Sequence, residues 1–136
     1  MAYPFLKKKA FLFVVVFFSA IAAFWLVRVV DNRQQVDFNA DIRPILNKNC
    51  LACHGGVKQS GKFSLLFRDE ALKPNESGKR AIVPGKPDES EMIWRITHAD
   101  PEIRMPAEKA PLAESEIKLL TRWMNKARNG RITGLM

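Results

Sequence analysis

The chain has 136 residues, a formal net charge of +8 and a hydrophobic fraction of 47%. That length leaves room for one domain. Its charged residues form no run of five or more of one sign, which excludes the concentrated basic stripe of a nucleic-acid binder, and near-absent apolar–polar alternation argues against a sheet-based fold.

At the amino terminus Lys7-Lys8-Lys9 precedes an apolar run from Ala10 to Val27, interrupted only by Ser19. This approaches the roughly 20 residues of a bilayer-crossing helix. Residues 1–30 are therefore expected to be a transmembrane anchor. Ala20-Ile21-Ala22 also has the small-x-small form of a signal cleavage site, but Phe24-Trp25-Leu26-Val27 carries the apolar run past it. With the lysines on the cytoplasmic side, residues 31 onward are expected on the outer, periplasmic face of the inner membrane, in a single-pass arrangement. Half of the net charge lies in Lys7, Lys8, Lys9 and Arg28. The remainder is mildly basic, a surface suited to an acidic partner.

Residues 31–36 read as a polar linker. A first helix should start near Asn39 or Asp41, both capable N-caps, with Pro44 in its first turn and Ile42, Ile45 and Leu46 on one face. It runs into Cys50 and ends at Gly55-Gly56. From Val57 to Lys86 the chain is loop-rich, with an apolar knot at Phe63, Leu65, Leu66 and Phe67, a helical turn at Asp69 to Leu72, and turns at Asn75, Ser77 and Gly78. Asp88 is the expected N-cap of a second helix, with Glu91 completing a capping box and Met92, Ile93 and Ile96 facing inward. Three prolines keep Asp100 to Pro111 irregular. A last helix spans Ala113 to Ala127, with Ile117, Leu120, Trp123 and Met124 on its apolar face and Gly130 as its terminator. Residues 130–136 form a tail.

Cys50-Leu51-Ala52-Cys53-His54 spells Cys-x-x-Cys-His, the attachment motif of c-type haem, and uses both cysteines of the chain. The two thiols lie on one side of a helical turn, where each can add to a haem vinyl group. His54 then brings an imidazole to the iron. Alternatives are a disulfide or thioredoxin-like dithiol, and a zinc site using Cys50, Cys53, His54 and His98. The dithiol lacks its strand–helix alternation, and adjacent Cys53 and His54 would crowd one zinc ion.

The second axial ligand of an electron-transfer haem is usually Met or His. Met92 and Met124 sit on helix faces, where packing explains them, and Met1 and Met136 are at the ends. Met105, in Ile103-Arg104-Met105-Pro106, is the favoured ligand. His98 is the alternative, and an empty sixth position is a third.

These segments resemble a small class I cytochrome c, and residues 37–129 are similar to the planctomycete-type cytochrome c domain. The likeness rests on Asp41-Ile42-Arg43-Pro44-Ile45-Leu46, Cys50-Leu51-Ala52-Cys53-His54-Gly55, Ile82-Val83-Pro84-Gly85-Lys86-Pro87-Asp88-Glu89-Ser90, Arg104-Met105-Pro106, and Glu116-Ile117-Lys118-Leu119-Leu120 with Trp123. Ala107 replaces a frequent second proline, and Ala113 a frequent serine. The resemblance implies an all-α fold, about three short helices and long loops around one covalently bound haem c, ligated by His54 and Met105.

The expectation is therefore a membrane-anchored monohaem cytochrome. It would carry electrons between a dehydrogenase and a terminal acceptor (an oxidase or a membrane complex), either free or as a subunit. With both axial positions filled, the iron would not be an enzyme centre. A haem sensor or peroxidase-like protein with an open sixth position is the competing reading.

Overall fold

The computed structural model describes residues 4–33, 36–127, 132, 134 and 135. It divides into two compact units, Met1–Gln35 and Val36–Met136.

The described residues of the first unit form one helix, α1 (Pro4–Arg33), which continues through Asp31–Arg33, residues read above as linker. Its apolar run forms helix as expected, but the transmembrane expectation is corrected. Among the described residues no helix is long and apolar enough to cross a membrane. The apolar run from Ala10 to Val27, broken at Ser19 and flanked by Lys9 and Arg28, rises about 27 Å at ~1.5 Å per residue, short of a hydrocarbon core of ~30 Å. The single-pass membrane location inferred from it is withdrawn with it.

The second unit is helical, and among the described residues it contains no strand, only isolated bridges pairing His54 with Gln59 and Pro74 with Arg80. Phe38–Ile42 form a π-helical turn. The cap is neither Asn39 nor Asp41 but Asp37, whose Oδ1 accepts from the Ala40 N–H at 2.7 Å while its own N–H donates to Asp41 Oδ2 at 2.8 Å. This reciprocal pair satisfies donors that a helix start leaves free. Helix α2 (Arg43–Asn49) follows with Pro44 in its first turn, where the missing N–H costs nothing. Cys50 bends the path (φ −120°), and α3 (Leu51–His54) begins beyond it. The sequence reading had one unbroken helix here.

A 3₁₀ turn at Ser60–Lys62 and α4 (Arg68–Leu72) punctuate the next loop. Pro87–Glu89 form a further 3₁₀ turn before α5 (Glu91–Ile96). This displaces the expected cap. Asp88 lies inside the 3₁₀ turn, Ser90 takes the N-cap position, and Glu91 turns inward. The Ser90 hydroxyl instead donates to the Lys86 carbonyl at 2.9 Å and accepts from the Val83 N–H at 2.9 Å, which pins the Val83–Lys86 turn.

Helix α6 (Glu114–Lys126) starts as expected. Ala113 has no capping side chain, and Glu116 compensates by accepting the Ala113 N–H at 2.9 Å. Gly130 lies outside the described residues. Ile42, Ile45, Leu46, Ile82, Leu120, Trp123 and Met124 form the core, joining α2 to α6 across the loops.

Candidate functional site

The turn from Cys50 to Gly55 is fixed from both sides. The His54 and Cys53 N–H groups donate to the Cys50 carbonyl at 2.9 and 3.1 Å, and the His54 carbonyl accepts from the Leu65 N–H at 2.8 Å. Gly55 leaves the helix beneath the Leu51 carbonyl, where a Cβ would lie 2.5 Å from that oxygen. Only glycine permits this exit.

Cys50 and His54 open onto a cavity of about 370 Å³, within the roughly 300–1,000 Å³ range of small-molecule and cofactor pockets. Phe63, Leu65, Ala81, Met92 and Ile96 form its apolar wall, and Met105 reaches it from the loop before α6. Two segments far apart in sequence, the Cys50–His54 turn and the loop carrying Met105, thus bring Cys50, His54 and Met105 to one space. Cys53 is exposed, and both cysteines are free thiols.

The surroundings of these groups suit haem c. His54 packs against the Phe63 ring at 5.2 Å between centroids, and its buried Nδ1 has no hydrogen-bond partner. Burial pushes the imidazole below its ordinary pKa, opposed by the carbonyls of Phe63 and Ser60 and aided by the charges of Arg95 and Lys58. The neutral ring is the form that ligates a metal. Burial raises the Cys50 thiol to about 11, with Lys109 lowering it and Glu116 raising it. Cys50 is therefore a protonated thiol at neutral pH.

The alternatives fare differently. His98 does not line the cavity. Its Nδ1 accepts from the Asp100 N–H at 3.1 Å and its ring packs on Trp94 at 4.7 Å. Among the described residues no group of three or more His, Cys, Asp or Glu is placed to hold a metal ion, which disfavours zinc at Cys50, Cys53, His54 and His98.

One part of the wall escaped the sequence reading. Glu91, read as a capping residue, is buried and faces the cavity with Asn75, Ser77 and Arg95. Its carboxylate accepts from Asn75 Nδ2, from the Ser77 hydroxyl at 2.8 Å, and from Arg95 Nε and Nη2 at 3.0 and 2.9 Å. The available signal was the four-residue spacing of Glu91 and Arg95, which puts opposite charges on one helix face.

An all-helical unit that seats a Cys-x-x-Cys-His turn against an apolar cavity defines a cytochrome c domain, a class that implies haem c and suggests electron transfer. Comparison with known families narrows this. Residues 50–109 match the model of the planctomycete cytochrome C family, and the chain carries a planctomycete-type cytochrome c domain. It is also similar to hydrazine synthase subunit alpha of Kuenenia stuttgartiensis, 26% identical over 98 residues and 59% of this chain. The chain spans 12% of that relative's length. No solved structure matches it.

Proposed function

We propose that this chain is a monohaem electron-transfer protein. Cys50 and Cys53 would hold the haem through two thioethers, and His54 and Met105 would ligate its iron. The group would supply a one-electron couple, with the Met ligand favouring the reduced state and a higher potential than a second His. The convergence of Cys50, His54 and Met105 on one apolar cavity carries this reading. With two cysteines in the chain, one haem is the stoichiometry.

The protein's part is positional. The His54 imidazole is kept neutral by burial, and its ring is steadied by Phe63. Phe63, Leu65, Met92 and Ile96 present apolar surface to the cavity, which raises the cost of charge there. With His54 and Met105 both holding the iron, no position would be left for substrate, so the chain would act as a carrier and not as an enzyme. Its partners would be a dehydrogenase on the donor side and an oxidase or multisubunit complex as acceptor.

The similarity to a synthase subunit favours one second reading, a haem module in an enzyme assembly with its sixth position open. Expression in a host that attaches haem c separates the cases. The carrier reading expects one haem per chain by intact mass and pyridine haemochrome. It also expects a weak long-wavelength Met–iron band in the ferric protein that Met105→Ala abolishes. Rapid carbon monoxide binding to the unmodified ferrous protein would select the open-site reading, and colourless protein would remove both.

A further inference from the structure

Met105 comes from a loop with no regular structure, so something must hold its thioether at the cavity. The Met105 N–H donates to the Arg95 carbonyl at 3.1 Å. The Arg95 side chain reaches the same loop, with Nη1 donating to the Ile103 carbonyl at 3.5 Å. Its other edge binds Glu91 through Nε and Nη2, and Glu91 is itself fixed to the Asn75–Ser77 turn. A continuous polar strap therefore runs across the cavity wall from that turn, through Glu91 and Arg95, to the segment carrying Met105. A planar guanidinium is suited to this, because its donors point along two edges at once.

We propose that Arg95, aligned by Glu91, is the positioning residue that holds Met105 toward the haem iron. The proposal rests on Met105 being the ligand, as argued above. Arg95 does not touch the iron. It sets the fraction of molecules whose thioether is in place, and an external ligand competes against that fraction.

Titration of the haem-loaded ferric protein with imidazole tests this, because imidazole binds only where Met105 has left. Arg95→Gln is expected to raise the imidazole association constant about tenfold, and Glu91→Gln severalfold in the same direction. Arg95→Lys keeps the charge but loses the two-edged geometry, so about threefold is expected there. Lys86→Gln, which removes only an exposed pair with Glu89, should leave the constant unchanged. If Arg95→Gln fails to take up haem, Arg95→Lys carries the test. Unchanged imidazole affinity in the Arg95 variants, with the Met–iron band present in the unmodified protein, overturns the proposal alone, even if their unfolding midpoints fall. Absence of that band from the unmodified protein overturns the ligand assignment and this proposal together.

Discussion

The ring of Phe38 lies 5.7 Å from that of Trp123, tilted by 41°, and this contact clasps the start of the helical unit to its last helix. Phe38 belongs to the π-helical turn before α2, and Trp123 to the buried face of α6, 3% exposed. Since α2 delivers Cys50, the clasp also seats the haem-attachment turn. Trp123→Ala removes a large buried ring, and losses of this kind cost about 3–5 kcal/mol. Guanidinium denaturation of the haem-loaded protein should show that loss. A change below about 1 kcal/mol would mean that other contacts hold the two ends.

Gly55→Ala should disturb the attachment turn directly. The added methyl would press on the Leu51 carbonyl, a backbone atom that moves only by opening α3. Overpacking of this kind costs about 1–3 kcal/mol. The expected readout is a lower yield of covalently loaded protein under matched expression, with a lower unfolding midpoint for what is loaded. Equal yield and midpoint would show that the turn can relax.

Glu91 gives the stability a defined acid dependence. Burial pushes its pKa up, but hydrogen bonds from Asn75, Ser77 and Arg95, with the charge of Arg95, outweigh this and hold it below the ordinary value of 4.5. The folded state therefore favours the ionised carboxylate. Its contribution is complete above about pH 4.5 and is lost as pH falls through the lower folded-state pKa. Glu91→Gln should flatten unfolding free energy against pH in that acid window. An unchanged slope would place the acid sensitivity elsewhere. At pH 7, Glu91→Ala strands the partly exposed Arg95 and two polar partners, at a cost of about 3 kcal/mol.

Removing the cofactor should weaken the unit as a whole. Phe63, Leu65, Met92 and Ile96 line the cavity, and without an occupant they lose the contacts that a packed interior provides. A Cys50→Ala, Cys53→Ala double variant is expected to lose covalent haem and most of its cooperative thermal transition by circular dichroism. A sharp transition close to that of the loaded protein would show that the core suffices by itself.

Sequence reading and tertiary structure part at identifiable places. The period of Ile42, Ile45 and Leu46, and that of Leu120, Trp123 and Met124, marked buried helix faces because burial follows a local repeat. The boundary at Asp37 was missed because its capping oxygen competes with those of Asn39 and Asp41, and only the chain's path chooses among them. Glu91 shows the same limit. In sequence it fits a capping box as well as a buried ion pair, and the intervening 3₁₀ turn decides the outcome. The apolar run of residues 10–27 was legible as helix, but its crossing of a membrane was not borne out among the described residues.

The sequence by itself carried the haem-attachment motif. The spacing of Cys50, Cys53 and His54 is local, so the attachment motif is legible whatever the rest of the chain does. Only the tertiary structure decided what faces them. Met105 was the favoured candidate along the chain and His98 the alternative, and the fold brings Met105 to the cavity and ties His98 to Asp100. The same folding joins Asn75, Ser77, Glu91 and Arg95 into one wall, because contacts between distant segments depend on how helices and loops pack, which no local repeat encodes.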